Sequence, residues 1–274
     1  MHCERLLHIQ LYLNIRLIEG NMAQYQTEAI LVAARDWGEA DKMVTLFSRE
    51  YGKIIAFANG ARRPKSPLAG GMQLFTHMDV RMISGKNYDS VKQCEMKNSF
   101  RQIQEDFNCM AYGTFIAELV AELCPEKQPE PQVFDLLIEV LKILPMRNPR
   151  VVALAWAWQM LLIMGYYPNF KQCVICGQAL VLPGYFCCLN AGCICSNCDH
   201  GKLPEVNHKI VDFIDCLLHI DWKNPVKFTV SGAVLMQTET ILMEYLMQCL
   251  ERPLNSMKFL KQVAEVMQPE SNKN

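Results

Sequence analysis

The sequence has no excess of charge of either sign, since 27 Lys and Arg residues stand against 28 Asp and Glu residues. A chain with this balance is not a globally basic nucleic-acid binder, so binding of that kind requires a local patch. Long apolar runs are also missing. The most apolar stretch, residues 151–165, is shorter than the ~20 residues that a membrane-spanning helix needs, and it predicts a buried helix.

The N-terminus lacks the features of a cleaved leader. Residues 6–17 are largely apolar after Arg5, but Arg16 and Glu19 break the pattern and no small-residue cleavage site follows. Met22 stands just before the first predicted strand. We therefore interpret residues 1–21 as an upstream extension.

Motifs of several catalytic classes are missing. The sequence contains no G-x-x-x-x-G-K-[ST] phosphate loop, no G-x-G-x-x-G after a strand, no H-E-x-x-H and no zinc-deaminase pattern. Scattered histidines have no evident acid or nucleophile partner: His77, His200, His208 and His219. The sequence therefore predicts no catalytic residue and no enzyme.

Two CxxC pairs give the strongest chemical signal. Cys173 and Cys176 form the first pair and Cys195 and Cys198 the second, with eighteen residues between them. Two such turns present four soft ligands to one ion, as in structural Zn²⁺ sites, and Gly177 lets backbone N–H groups turn toward the sulfurs. Because four thiolates leave no open position, we predict a structural zinc ion.

Other interpretations of the cysteines remain open at this point. The four could be free or disulfide-bonded, and three neighbours could replace a ligand: Cys187, Cys188 and Cys193. Of the thirteen cysteines in the chain, five stand singly in apolar or helical stretches: Cys94, Cys109, Cys124, Cys216 and Cys249. Such a distribution is a poor disulfide framework and favours a reducing cytoplasm.

Strand patterns dominate the chain up to Phe100. Residues 74–84 alternate between two sets of side chains, which predicts a strand with one buried face. Five short strands without room for a long helix favour a small closed barrel of the OB type, because closure removes exposed sheet edges. The predicted strands are residues 25–36, 42–48, 53–58, 74–84 and 89–96.

Helical spacing replaces the strand pattern after Phe100. Asn148, Asn207 and Ser231 are predicted to begin helices, and a last short helix is predicted over residues 257–267 before a polar tail. The fold class is therefore α+β: an N-terminal OB barrel and a helical domain with an inserted Cys₄ knuckle. The predicted units are the extension 1–21, the barrel 22–100, the helical parts 101–170 and 205–274, and the zinc insertion 171–204.

A basic loop after the third strand is the second informative stretch. Arg62, Arg63 and Lys65 lie within four residues, stiffened by prolines, and residues 22–100 carry eleven Lys/Arg against eight Asp/Glu. A positively charged groove on a barrel can bind along the phosphate backbone of a nucleic acid, so we predict that this loop contacts DNA. Further cations predicted to contribute are Arg35, Arg49 and Lys53. The alternative is a solvated hairpin without a ligand.

Aromatic side chains in the barrel segment could stack on bases. The candidates are Tyr51, Phe57, Phe75 and Tyr88. For Phe57 and Phe75 we favour a place in the barrel core instead.

Four motifs, in order along the chain, resemble the bacterial RecO family of recombination mediators. The first two are strand residues 27–32 followed by Asp36-Trp37-Gly38-Glu39-Ala40-Asp41-Lys42, and Tyr51-Gly52-Lys53-Ile54 with the loop at residues 60–66. The others are Tyr185-Phe186 with Ala191-Gly192 before Cys195, and Arg252-Pro253-Leu254 with Lys258-Phe259-Leu260. Ala191 departs from the pattern, since a glycine is common there. The resemblance covers residues 24–265 and leaves the extension outside.

The resemblance implies a non-enzymatic DNA-binding mediator. Such proteins bind single- and double-stranded DNA through the barrel, anneal complementary strands and, with RecR, help load RecA onto DNA coated by the single-stranded-DNA-binding protein. Contact with the acidic tail of that protein is expected in the helical domain, and the expected location is the cytoplasm, at the nucleoid. Some members lack the cysteines, which implies a structural metal.

Two other function classes remain as alternatives. A zinc-ribbon scaffold or regulator would bind protein partners with little DNA affinity. A zinc-dependent hydrolase would need an open metal position.

Overall fold

The computed structural model describes residues 23–199, 201, 203–224, 229–250 and 252–260. The extension interpreted at residues 1–21 lies outside the described residues, as do His200 and the polar tail. Of the predicted last helix only the first part is described, and residues 255–260 are helical.

Five strands form the N-terminal part: β1 (Gln24–Trp37), β2 (Asp41–Ser48), β3 (Gly52–Ala58), β4 (His77–Ile83) and β5 (Asp89–Asn98). They close into a barrel in the order β1-β2-β3-β5-β4, and β4 pairs back with β1. β3 and β5 pair in parallel, whereas the other neighbours are antiparallel. This is an OB-fold barrel, so the predicted α+β fold class is confirmed.

Aliphatic, methionine and alanine side chains fill the barrel interior. In β4 the alternation holds, because Met78, Val80 and Met82 are buried. β4 begins later than predicted, since Phe75 has a left-handed backbone (φ 71°) that interrupts the extended chain. The strand residues in this core are Ala29, Leu31, Val44, Leu46, Ile54, Ala56, Ala58, Met78, Val80, Met82 and Val91.

Helices make up most of the rest: α1 (Arg101–Glu105), α2 (Phe107–Leu123), α3 (Pro131–Ile143), α4 (Pro149–Ile163), α5 (His208–Leu218) and α6 (Gly232–Cys249). The side chains of Asn148, Asn207 and Ser231 accept backbone N–H bonds at the starts of α4, α5 and α6, so the predicted caps are confirmed. α4 is the buried helix that the apolar run predicted. Among the described residues, no helix combines the length and apolarity that crossing a membrane requires.

A small three-stranded sheet lies in the cysteine-rich segment: β6 (Gly184–Cys187), β7 (Gly192–Ile194) and β8 (Glu205–Val206), in the order β7-β6-β8. Phe186 of β6 joins this sheet to the helical core. Its ring centroid lies 5.8 Å from that of Phe170 and 5.7 Å from that of Tyr245 in α6. The Tyr245 hydroxyl also donates to the carbonyl of Tyr166 at 2.8 Å.

The outer face of β1 and β2 packs against the helices at one end of the barrel. Ile30, Val32 and Phe47 belong to the helical core, and the rings of Phe47 and Phe134 of α3 lie 6.1 Å apart. Gly52 adjoins this contact. Its φ is +68°, and an added Cβ would lie 2.0 Å from the carbonyl oxygen of Gln128.

Substitution Gly52→Ala should destabilise the protein strongly, because backbone atoms must move and the residue keeps a left-handed conformation. We expect a loss of more than about 2 kcal/mol in the free energy of unfolding, measured by urea titration. Gly38→Ala is the matched control. Its φ is +55°, but nothing lies within 4 Å of the added Cβ, so only the backbone cost of about 1 kcal/mol is expected. Equal losses would contradict a close contact between Gly52 and the connection from α2 to α3.

Candidate metal centre and nucleic-acid interface

Four cysteine thiols converge in the segment between α4 and α5. The sulfurs of Cys173, Cys176, Cys195 and Cys198 all lie within 4.8 Å of one another, so this group could hold a metal ion. Each CxxC pair forms a tight turn. The Gly177 N–H donates to the Cys173 carbonyl at 2.9 Å, and the Cys198 N–H donates to the Cys195 carbonyl at 3.0 Å.

Backbone N–H groups favour a thiolate at Cys173. They lower the pKa of the Cys173 thiol to about 6, with the N–H of Cys176 as the largest cause and that of Cys195 next. Gly177 has φ +74°, the left-handed conformation expected after the first pair. The donor set fits a soft divalent ion, because a cation among four sulfurs would favour loss of the remaining thiol protons.

The three other cysteines of the segment stand outside this quartet. Cys187 donates to the Asn190 side-chain oxygen at 3.1 Å. Burial raises the pKa of the Cys193 thiol to about 12 and that of Cys188 to about 11, so neither is prepared as a thiolate ligand. All cysteines among the described residues are free thiols, and the structure therefore contains no disulfide there.

The basic loop after β3 is held against the turn between β1 and β2. The Gly60 N–H donates to the Asp41 carboxylate at 2.7 Å, and the Arg62 N–H donates to the Ala40 carbonyl at 2.9 Å. The Arg62 guanidinium donates to the Gly38 carbonyl at 3.1 Å and lies 3.3 Å from an Asp36 carboxylate oxygen. These contacts present the three exposed cations of the loop at a fixed place: Arg62, Arg63 and Lys65.

Arg35 lies on the outer barrel face that adjoins the loop. Its guanidinium carbon is 5.5 Å from the centroid of the Trp37 ring, and its nitrogen donates to the Met43 sulfur at 2.8 Å. In the strand register, Arg35 pairs with Met43 and Met43 with Phe57. Arg35 and the end of β3 that leads into the basic loop therefore share one end of the sheet.

Three exposed or half-buried aromatic rings stand in a row on this same face. The centroid of Phe57 is 5.6 Å from that of Trp37 and 5.5 Å from that of Tyr88. Our prediction that Phe57 lies in the barrel core is wrong, because β3 turns Ile54, Ala56 and Ala58 inward and Phe57 outward.

The other aromatic candidates lie elsewhere. Phe75 is buried as predicted, although it packs in the helical core. The ring of Tyr51 lies 4.7 Å from that of Tyr25. Trp37 was not among the candidates, although its place at the end of a strand before a glycine was a visible signal.

The two remaining predicted DNA-contact cations have partners in the helical part. Arg49 forms a two-pronged ion pair with Asp135 of α3, at 3.0 and 2.9 Å. Lys53 donates to the carbonyl of Ala121 in α2 at 2.6 Å. The structure thus separates them from the loop cations, and their contact with DNA stays a prediction.

Charge is absent from the metal-site segment. From Gln172 to Cys198 the sequence contains no Asp, Glu, Lys, Arg or His. A surface that binds phosphates needs cations, so this segment is a poor candidate for DNA contact. The metal group and the basic loop are two separate sites.

Comparison with known proteins gives concordant matches over both parts of the chain. Residues 22–100 match the family model described as "Recombination protein O N terminal", and residues 104–258 match "Recombination protein O C terminal". The chain is 34% identical over 241 residues to "DNA repair protein RecO" of Pelotomaculum thermopropionicum, covering 87% of this chain and 94% of the relative. It is 33% identical over 246 residues to the protein of that name from Symbiobacterium thermophilum, covering 87% and 97%.

Loss of one thiol of the quartet should release the metal ion and weaken the fold. We expect about one divalent metal ion per wild-type chain by elemental mass spectrometry. In Cys198→Ser the metal content should fall toward zero and the unfolding temperature should drop, because three ligands hold the ion poorly. The matched control Cys187→Ser should keep both values. A Cys198→Ser protein with full metal content and unchanged unfolding temperature would contradict the assignment.

Proposed function

Because the chain belongs to the RecO family of DNA repair proteins, we propose that it is a non-enzymatic recombination mediator. It binds single- and double-stranded DNA through the barrel and anneals complementary strands. Together with RecR it helps load RecA onto single strands coated by the single-stranded-DNA-binding protein. It acts in the cytoplasm, at the nucleoid.

The observation that carries this proposal is the fixed basic loop on the OB barrel. Arg62, Arg63 and Lys65 are exposed and stand next to the turn between β1 and β2, with Arg35 on the adjoining face. OB folds bind oligonucleotides on the face of strands 2 and 3 and on the flanking loops. Exposed cations at that place attract phosphates and release counterions on binding.

Arg49 and Lys53 take a smaller part in DNA binding in this proposal. The guanidinium of Arg49 is already matched by the carboxylate of Asp135, and the ammonium of Lys53 is directed to a carbonyl of α2. Their main effect is to attach the barrel to the helices. Phosphate contacts then come mainly from the loop and from Arg35.

The metal bound by the cysteine quartet is Zn²⁺ in our proposal, and its role is structural. Four thiolates are the donor set that zinc prefers in closed sites. Cys173, Cys176, Cys195 and Cys198 would hold the ion, and zinc held in this way would cross-link the two CxxC turns. The Val174 N–H donates to the Cys193 carbonyl at 3.0 Å, and the Cys193 N–H donates to the Asn169 carbonyl at 2.8 Å. Through these hydrogen bonds the cross-link would also stabilise the small sheet, which Phe186 joins to the helical core.

The proposed division of labour follows the predicted units. Residues 22–100 bind DNA, residues 171–204 form the zinc insertion, and residues 101–170 and 205–274 form the helical domain. The helical domain is where we propose contact with the acidic tail of the single-stranded-DNA-binding protein.

Reversal of two loop charges should weaken DNA binding and reduce its salt dependence. Arg62→Glu/Arg63→Glu removes two cations, so fewer counterions are released when the protein binds. On single strands the slope of log K against log salt should become shallower by about 0.7 for each lost phosphate contact. Fluorescence anisotropy with a labelled oligonucleotide between about 50 and 200 mM salt measures the affinity and the slope.

The matched control reverses two exposed cations near helix starts in the helical part, Arg147→Glu/Lys209→Glu. Acidic residues are tolerated there because helix N-termini favour negative charge. This control should keep the wild-type affinity and slope. A loop variant with unchanged affinity and slope would reject the loop as a contact. Weak wild-type binding even at ~50 mM salt would favour a scaffold for protein partners instead.

A further inference from the structure

The row of aromatic rings on the barrel is unusual because it is open to solvent. The Trp37 side chain is 46% exposed and that of Tyr88 is 43% exposed, with half-buried Phe57 between them. The barrel does not need these rings for its interior, which aliphatic, methionine and alanine side chains fill. A group of exposed large apolar side chains is a sign of an interaction surface.

Three separate strand ends bring the rings together. Trp37 is the last residue of β1, Phe57 is the penultimate residue of β3, and Tyr88 directly precedes β5. The parallel pairing of Phe57 with Ser90 sets Tyr88 beside Phe57. The row therefore depends on barrel closure and is invisible in any one segment of the sequence.

Two cations lie at the Trp37 end of this row of rings. The Arg35 guanidinium lies over the Trp37 ring, and Arg62 is bonded to the carbonyl of Gly38, the residue after Trp37. The Asp36 carboxylate also lies at this end of the row, where it pairs with the Arg62 guanidinium. Cations beside a row of rings suit a nucleic-acid strand, which carries phosphates beside its flat bases.

We propose that Trp37, Phe57 and Tyr88 stack on unpaired bases, so that the barrel binds single strands more tightly than duplex. This inference rests on the proposed function, since it assigns the strand preference of the same DNA site. Bases in a duplex are stacked on each other, so their faces are closed to the rings. The cations can bind the phosphates of both forms of DNA, whereas the rings can stack only on the unpaired bases of a single strand.

Tryptophan fluorescence gives a direct test without any substitution. Of the four tryptophans, Trp156 and Trp158 are 0% exposed and Trp222 is 6% exposed, so Trp37 alone is open to ligands. Adding an oligothymidylate should quench the emission and protect it from the neutral quencher acrylamide. A duplex of equal length is added until the anisotropy of a labelled duplex shows that binding is saturated. It should leave the emission and its sensitivity to the quencher nearly unchanged.

Substitution of the neighbouring rings tests the preference itself. In Phe57→Leu/Tyr88→Leu, single-strand affinity should fall about tenfold or more, because base stacking on each ring contributes on that order. Duplex affinity should stay within about twofold, and the salt slope should not change, because no phosphate contact is lost. Phe107→Leu removes an exposed ring from the helical part and is the matched control, with unchanged affinities for both.

The outcomes separate the two proposals. Equal losses on both DNA forms, no loss on either, or equal quenching of Trp37 by both would overturn the stacking inference and leave DNA binding standing. Quenching by a protein partner but not by oligothymidylate would overturn it as well. A wild-type protein that binds neither DNA form at low salt would overturn the proposed function. If the double variant fails to unfold cooperatively, the wild-type quenching experiment decides the question.

Discussion

Side chains of a closed barrel alternate between an enclosed interior and an outer face, and this constraint arranges the rest of the molecule. Aliphatic, methionine and alanine side chains fill the interior, and Arg35, Phe47 and Phe57 lie on the outer face of β1, β2 and β3. At one end of these strands Ile30, Val32 and Phe47 are covered by the helices. At the other end Arg35 and Phe57 face solvent, beside the basic loop.

The same strands thus carry the attachment to the helical part and the proposed DNA surface. The strand register explains why some cations of the barrel contact the helices while others face solvent. Lys53 pairs with Phe47 at the helix-covered end. Phe57 pairs with Met43, which itself pairs with Arg35, at the open end. The ion pair of Arg49 with Asp135 and the hydrogen bond of Lys53 add polar links across the covered end. The position of the barrel on the helices therefore fixes which cations remain for phosphates.

The cysteine quartet has a different place in this arrangement. Its segment is free of charge from Gln172 to Cys198, and it is joined to the helical core by Phe186 and Tyr245. A metal ion held there would stabilise the segment far along the chain from the basic loop. Local signals were sufficient to predict it, because both ligand pairs lie on short turns whose geometry depends on few residues. The same holds for the helix caps at Asn148, Asn207 and Ser231.

What the sequence could not provide depends on contacts between distant segments. In β3 both faces are apolar, with Ile54 and Ala56 alternating with Ile55 and Phe57, so the pattern did not show which side faces inward. The partners of Arg49 and Lys53 come from α3 and α2, which no local pattern links to the barrel. The row formed by Trp37, Phe57 and Tyr88 requires closure of the barrel between β3 and β5.

In the proposed function, the protein anneals complementary DNA strands through the surface of its barrel. Strand annealing of complementary oligonucleotides, followed by fluorescence with and without a coat of single-stranded-DNA-binding protein, tests it most directly. We expect the wild-type protein to speed annealing in both cases well above the spontaneous rate. A folded, metal-loaded wild-type protein that leaves the annealing rate unchanged on bare and on coated strands would contradict it.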